Sequence, residues 1–280
     1  MAQAFSGKTV FITGASSGIG AACAREFARQ GAKVALAARR IDKLEGVCAE
    51  IRASGGEAFP VECDVRDRAS IDEAVRQVID RFGAIDVVLA NAGFGVNGLA
   101  TKLETSDFRR QFDTNFFGAL DTVYATLPHL LASKGRIALV SSVMGHMPVP
   151  TFAPYCSSKF AVHALAECLY YDLADTGVSV TCISPGIVES ELRSVNIKGE
   201  YTGKPDPAPK WITMPAATAA RHMVRAIDKR KPLYVVTFHG KLMVFAAQRT
   251  PGLYRFLLRT FSRGRLGDIQ RARQGEDALH

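Results

Sequence analysis

Tyr155 and Lys159 close the run Tyr155-Cys156-Ser157-Ser158-Lys159, a spacing that stacks two side chains one helical turn apart on a shared face. A lysine ammonium beside a phenol favours the ionised form, bringing a group whose ordinary pKa is about 10 toward proton exchange at neutral pH. Upstream, Ile137 to Val140 reads as a buried strand that delivers Ser141 and Ser142 to its end, where a hydroxyl can hold a carbonyl oxygen. A tyrosine and a lysine at this spacing are commonplace on helix surfaces, so the chemistry depends on what the rest of the chain brings to them.

The elements that must position them begin with a β-branched run, Lys8 to Thr13, followed by Gly14-Ala15-Ser16-Ser17-Gly18-Ile19-Gly20 and a helix-patterned stretch, Ala21 to Gln30. Strand, glycine turn and helix together aim backbone N–H groups and a helix N-terminus at a phosphate. The spacing here is Gly-x-x-x-Gly-x-Gly, and a glycine turn without a ligand is the alternative. Val34 to Ala38 forms the second strand and ends in Arg39-Arg40. A carboxylate there would bind the adenine ribose hydroxyls, whereas arginine accommodates a 2′-phosphate, so the pair favours NADP(H) over NAD(H). The competing reading is two solvated arginines opening a helix over Ile41 to Arg52.

Ala58 to Cys63 reads as a third strand ending in Asp64-Val65, with a helix from Ser70 to Phe82 behind it. Asp86 to Ala90 is a nearly all-apolar fourth strand, covered on both faces, that ends in Asn91-Ala92-Gly93. Glu104 to Ala132 is one long helical pattern with Asn115 beside Phe116-Phe117, and Phe160 to Ala174 continues a helix that is apolar over most of its circumference. Such helices bury two faces, which predicts packing against a second subunit as well as on the sheet. Val178 to Ile183 is the sixth strand, ending in Pro185-Gly186-Ile187-Val188. Glu189 to Pro209 reads as a mobile flap over the strand ends, and Leu233 to Thr237 as the last strand. Strands alternating with amphipathic helices argue for a parallel sheet wound in both directions, with ligands at its carboxyl edge.

A chain of 280 residues with 48% hydrophobic content and no dividing linker suits one large domain. The cysteines at 23, 48, 63, 156, 168 and 182 lack any metal-ligand spacing, so no metal site is expected, and they read as small buried thiols in a reducing compartment. Cys156 has no histidine and acid at a spacing that would make it a nucleophile. Met1 to Gly7 lacks a basic and apolar leader pattern, and a cytoplasmic location is expected.

Taken in order, Thr13 to Gly20, Asp64-Val65, Asn91-Ala92-Gly93, Asn115, Ser142, Tyr155-x-x-x-Lys159 and Pro185-Gly186 resemble the short-chain dehydrogenase/reductase family, in its classical form, over roughly Lys8 to Val236. The resemblance implies an α/β fold: a Rossmann-type doubly wound parallel sheet of about seven strands, a single domain with a C-terminal helical extension. Residues 1–240 would be the NADP-binding domain, with a substrate flap over about 189–212, and 241–280 the extension. It implies Tyr155 as general acid/base, Ser142 orienting the substrate oxygen, Lys159 lowering the tyrosine pKa and holding the nicotinamide ribose, and Asn115 placing a relay water. Cofactor contacts would come from Gly14, Ser16, Ser17, Gly18, Ile19 and Gly20 at the phosphates, and from Asp64 and Val65 at the adenine. Asn91, Ala92 and Gly93 would meet the adenosine ribose side, and Pro185, Gly186 and Val188 the carboxamide, with Ser190 where threonine is common.

The implied reaction interconverts a ketone or aldehyde with an alcohol. Its walls would be Phe94, Val96, Met144, His146, Met147, Pro148, Phe152 and Trp211, chiefly apolar, so the substrate is expected to be an apolar small molecule. A homodimer or homotetramer through helices 104–132 and 155–174 is expected, without nucleic acid. The alternative, a catalytically silent NADP-binding sensor or scaffold, would be expected to lose at least one of Asn115, Ser142, Tyr155 and Lys159, and all four are present. Sugar epimerases and dehydratases of related fold need a longer substrate region after Gly186.

Beyond the resemblance, residues 241–280 hold eight Lys/Arg and three Asp/Glu in a chain of formal net charge +8. Tyr254, Leu257, Leu258 and Phe261 follow helical spacing, with Arg255, Arg259 and Arg263 on the other side, and Pro251-Gly252 separates them from the apolar run Leu242 to Ala247. Neither run reaches the length of about 20 apolar residues that spans a bilayer. Two readings stay open: peripheral contact of residues 241–265 with an anionic membrane, or docking of the apolar stripe on this subunit or its partner.

Overall fold

β-branched and aliphatic runs make seven strands: β1 (Thr9–Thr13), β2 (Lys33–Ala38), β3 (Glu57–Glu62), β4 (Val87–Ala90), β5 (Arg136–Val140), β6 (Ser179–Ser184) and β7 (Leu233–Val235). All pair in parallel, in the order β3-β2-β1-β4-β5-β6-β7. The chain is seen here in a computed structural model that describes residues 3–193, 203 and 208–260. Between the strands run α1 (Gly18–Arg29), α2 (Ile41–Ala53), α3 (Arg68–Phe82), α4 (Thr105–Phe112), α5 (Gly118–Ser133), α6 (Ala153–Asp172) and α7 (Ala216–Asp228), and α8 (Phe238–Arg249) follows β7.

Period-two alternation sends side chains to both faces of the sheet, and each face is covered. Val10 and Ile12 of β1 and Leu89 of β4 join Phe27, Leu44 and Met223 on the side of α1, α2 and α7. Phe11 and Val88 join Ile71, Val78 and Leu130 on the side of α3, α5 and α6. Burying each such side chain contributes about 1.5–3 kcal/mol, which holds the carboxyl edge of the sheet in fixed register. β1 and β4 are neighbours whose connections leave in opposite directions, so a crevice opens between the turns that follow them.

Several boundaries differ from the sequence reading. Helix α1 starts at Gly18, inside the glycine turn, because Gly18 takes φ +54 and Ser17 caps the helix in an extended conformation. The single helix expected over Glu104 to Ala132 is interrupted by a π-helical turn, Asp113–Phe117, centred on Asn115. Helix α7 was not expected at all, although Ala219, Ala220, Met223, Val224 and Ile227 bury a helical stripe against the sheet. Five cysteines are buried as expected, whereas Cys168 is exposed on α6. Of the expected flap, residues 194–202 and 204–207 lie outside the described residues, as do Phe261, Arg263 and the remainder of the basic tail.

Past α8, residues 251–260 are helical. Val244 and Tyr254 pack against Val143 and Met147, and the Tyr254 hydroxyl donates to the Pro148 carbonyl at 2.9 Å. Part of the tail stripe is therefore docked on this subunit, but Leu257 points outward and is 45% exposed. Among the described residues no helix is long and apolar enough to cross a membrane.

Two glycines separate steric need from helix propensity. A Cβ at Gly20 would lie 2.3 Å from the Gly14 carbonyl oxygen, whereas one at Gly46, within α2, would meet nothing. Gly20→Ala is expected to destabilise by about 1–3 kcal/mol through overpacking, and Gly46→Ala to stabilise by about 0.5–1 kcal/mol. Urea unfolding midpoints that shift in the same direction for both would contradict this account of the turn.

Candidate active site

The strand that leads to the serines ends at Val140. There the Ser141 N–H donates to the Ile183 carbonyl at 2.7 Å, and its hydroxyl donates to the Lys159 carbonyl at 2.8 Å. Ser142 caps a short 3-10 turn, Val143–Gly145, its Oγ accepting from the Met144 N–H at 3.1 Å. Helix α6 carries Pro154 in its first turn, where a missing N–H costs nothing, and presents Tyr155 and Lys159 to this loop.

Lys159 is 3% exposed, its Nζ donating to the Val140 carbonyl at 2.8 Å and lying 5.8 Å from the centroid of the Tyr155 ring. Burial pushes its pKa down to about 8, which leaves the ammonium charged at neutral pH. The expected group of Ser142, Tyr155 and Lys159 is thus drawn to one strand end, with Tyr155 itself 7% exposed.

Asn115, in the π turn, accepts from the Phe94 N–H at 3.1 Å through Oδ1, and its amide donates to the Phe94 carbonyl and to Ser158 Oγ, each at 3.1 Å. Local π geometry is a frequent mark of functional positions, and here it turns the amide toward the loop after β4. One turn earlier Gln111, which nothing in the sequence singled out, holds the same loop: its Oε1 accepts from the Val96 N–H at 2.7 Å. A Cβ placed on Gly93 would sit 3.0 Å from Asn115 Oδ1 and 3.5 Å from Lys159 Nζ, so the glycine keeps the floor between these two groups open.

A cleft of about 540 Å³ runs from this floor toward β2. Its walls gather Gly14, Ser16 to Gly20, Arg39, Arg40, Asp64, Val65, Asn91 to Gly93 and Ser190, along with Phe94. Gly14 takes φ +67, and a Cβ there would meet Ala92 Cα at 2.7 Å. The Asn91 amide ties the two turns by donating to the carbonyls of Thr13 (3.0 Å) and Gly14 (3.2 Å). Bare backbone at a helix N-terminus, cations at the far end and a buried ammonium at the near end suit a dinucleotide, so the residues present fit the nicotinamide cofactor that the sequence implied.

Pro185, Gly186 and Val188 are not among the cleft walls. They hold the loop after β6: the Pro185 carbonyl accepts from the Val143 N–H at 2.9 Å, and Gly186 backs onto Thr237 and His239. Arg66 hydrogen bonds hold the Asp64 carboxyl below the usual range, with smaller help from Arg39. Arg39 is exposed, and Arg40 is engaged by Ser16, Ser17 and Glu191. Glu191 and Leu192, both on the cleft, were not foreseen, because a contact across about 150 residues leaves no periodic trace in sequence.

The expected substrate walls divide. Phe94, Met144 and Phe152 are half-buried near the loop, but Val96 and Met147 are 0% and 1% exposed and belong to the interior. Trp211 is 86% exposed. His146 is not a solvated loop residue: it is buried, with Nε2 2.8 Å from Ser184 Oγ and its ring centroid 4.2 Å from that of His163. Burial, then repulsion from His163, pulls its pKa down from 6.5 to about 4.

Because the folded value lies below the unfolded one, His146 leaves stability intact above about pH 6.5 and erodes it as pH falls toward about 4, by at most about 3 kcal/mol. His163 is the charge partner of His146, and Glu167 lies 3.7 Å from His163 Nε2. His146→Gln is expected to flatten this acid limb in denaturation curves between pH 7 and pH 4. A limb of unchanged depth would assign the loss to other groups.

Residues 8–200 match the family model described as short chain dehydrogenase. Over 194 residues the chain is 38% identical to an uncharacterized oxidoreductase of Staphylococcus epidermidis, covering 69% of this chain and 83% of that protein. A short chain dehydrogenase/reductase from Burkholderia phymatum, solved in complex with NAD, matches with a TM-score of 0.79 at 25% identity, over 89% of this chain and 95% of that one. An alcohol dehydrogenase from the archaeon Thermococcus sibiricus, complexed with 5-hydroxy-NADP, matches with a TM-score of 0.72 at 30% identity, over 81% and 95%. The parallel seven-stranded sheet, the cleft at its switch point and these matches together make this chain a member of the short-chain dehydrogenase/reductase family of nicotinamide-dependent oxidoreductases.

Proposed function

We propose that the protein is an NADP(H)-dependent oxidoreductase that interconverts a ketone or aldehyde with an alcohol on an apolar small molecule, with Tyr155 as general acid/base. The observation that carries this reading is the buried Lys159 ammonium beside Tyr155, fixed by the Val140 carbonyl at 2.8 Å. A charged lysine is kept out of water only where something repays the desolvation. When bound, the nicotinamide cofactor supplies or accepts the hydride. Tyr155 gives its proton to the substrate oxygen or takes it back, and Lys159 favours the phenolate and holds the nicotinamide ribose. Ser142 accepts from Met144, which leaves its own O–H to donate to the same substrate oxygen. Asn115 steadies the loop at Phe94 and helix α6 at Ser158, which keeps the relay side of the site in register.

A silent sensor of the same fold would not need the tyrosine and lysine together, and that pairing favours the enzyme. Arg39 and Arg40 at the end of β2, with Ser16 of the glycine turn bonded to Arg40 and no carboxylate in the sequence of that strand end, support NADP(H) over NAD(H). The two solved neighbours described above differ in this respect, one holding NAD and the other an NADP derivative. Residues 1–240 form the catalytic unit in this reading, and residues 241–280 an extension. Exposed Phe117, Tyr124 and Phe160 on and beside helices α5 and α6 support burial against a second copy. A cytoplasmic location belongs to the same reading.

The extension supports peripheral contact with an anionic membrane. Phe238, Leu242, Phe245, Leu253 and Phe256 are all more than half exposed, and between Lys229 and Thr260 every charged side chain is basic. An interface with protein does not require one sign of charge, whereas an anionic bilayer does.

Tyr155→Phe is expected to lower turnover by about 10²–10⁴-fold with NADPH affinity nearly unchanged; an undiminished rate would sink the assignment. Arg39→Ala should weaken NADPH by about 1.5–3 kcal/mol more than NADH, and equal weakening of both would make Arg39 a structural residue. In sedimentation, the intact chain is expected to follow phosphatidylserine vesicles at low salt and to leave them at high salt. No binding at low salt would remove the membrane reading, and binding that survives Phe245→Asp with Phe256→Asp would take it away from these side chains of the extension.

A further inference from the structure

Glu191 opens the 3-10 turn Glu191–Arg193 just beyond the loop that leaves β6. Its carboxylate reaches across the cleft to the other half of the sheet: Oε2 accepts from Arg40 Nη2 at 2.8 Å and from Ser17 Oγ at 2.9 Å, and Oε1 accepts from Lys43 Nζ at 3.0 Å. The same Arg40 nitrogen reaches Ser16 Oγ at 2.9 Å. Burial alone would raise the carboxyl, but hydrogen bonds from Lys43, Arg40 and Ser17 outweigh it and hold the pKa at about 2. The group is therefore a permanent anion, 29% exposed, on the wall of the cleft.

Arg40, Ser16 and Ser17 are among the groups that the NADP(H) reading assigns to phosphate, and Lys43 adds a second cation beside them. A carboxylate and a phosphate monoester make the same demand on them, charge-assisted hydrogen bonds from a guanidinium, an ammonium and hydroxyls. The two N–H groups of Arg40 Nη2 are taken by Glu191 and the Ser16 and Ser17 hydroxyls, so a second anion uses this nitrogen only by displacing one of them.

We propose that Glu191 is a cofactor-selectivity residue, its carboxylate competing with the cofactor's 2′-phosphate for Arg40, Lys43 and Ser17. The proposal rests on the NADP(H) reading of the cleft. A phosphate-bearing cofactor must displace the carboxylate, so its apparent affinity is reduced by the fraction of molecules in which the ion pairs are closed. A cofactor without the 2′-phosphate leaves them in place. Displacement also frees Leu192, whose Cδ2 lies 3.2 Å from the point where a Cβ on Gly95 would stand, with Tyr155 Cδ2 3.5 Å from the same point. Arrival of the phosphate is thereby linked to the apolar wall beside the catalytic tyrosine.

The test uses the full chain and Glu191→Gln, which keeps the shape and removes the charge, with Glu191→Ala as a second variant and thermal unfolding as a check on folding. Dissociation constants are measured by calorimetry for NADPH, NADH and adenosine 2′-monophosphate. Both variants are expected to bind NADPH and adenosine 2′-monophosphate on the order of tenfold more tightly than wild type, with NADH changed by less than about twofold. Unchanged or weaker NADPH binding would overturn the competition, the weaker case making Glu191 a clasp over bound cofactor. If Arg39→Ala and Arg40→Ala both leave wild-type NADPH affinity unchanged, the cofactor reading itself fails, and the proposal with it.

Discussion

A single buried cation constrains this site. The Lys159 ammonium is removed from water and anchored to the last carbonyl of β5, so its position depends on where that strand ends and on the docking of α6. Desolvation lowers its pKa to about 8, and looser packing would admit water and return it toward the ordinary lysine value. The Ser141 bond to the Lys159 carbonyl, and the close approach of Gly145 to the same carbonyl, fix helix and strand end to each other. A cation held this way keeps a fixed place beside the Tyr155 ring, 5.8 Å from its centroid.

The second constraint is topological. β1 and β4 lie side by side while their helices cover opposite faces, so the chain leaves a crevice at their carboxyl ends without any dedicated element to form it. The glycine turn after β1 and the Asn91 loop after β4 are joined by the Asn91 amide. That bond unites the glycine-turn end of the cleft with the loop that Asn115 and Gln111 hold near Tyr155 and Lys159. The two ends are thus tied together through side-chain amides that hold backbone groups.

Much of this was legible in the sequence because the chemistry restricts residue type. Glycines where a Cβ would strike backbone, and a lysine four residues from a tyrosine, each leave a local mark. So did all seven strands and the fold class. The π turn at Asn115 was not legible, since one extra residue in a helical turn leaves the apolar periodicity of Glu104 to Ala132 nearly intact. Helix α7 was obscured by the proline- and lysine-rich stretch before it. Val96, Met147 and His146 were expected as substrate walls because residue type does not distinguish a pocket lining from the interior, and because Ser184, the partner that lets His146 be buried, is 38 residues away. Glu191 was invisible for the same reason: its partners come from the opposite half of the sheet.

The central claim is that the Lys159 charge sets the proton affinity of Tyr155. It is tested most directly by carbon-13 NMR of the protein labelled at tyrosine Cζ, with the Tyr155 resonance assigned by its loss in Tyr155→Phe. The account predicts that this resonance titrates at lower pH than those of the exposed tyrosines, and that Lys159→Met moves its titration to higher pH while Lys159→Arg largely preserves it. A Tyr155 resonance that titrates with the exposed tyrosines, or that is indifferent to Lys159→Met, would contradict it.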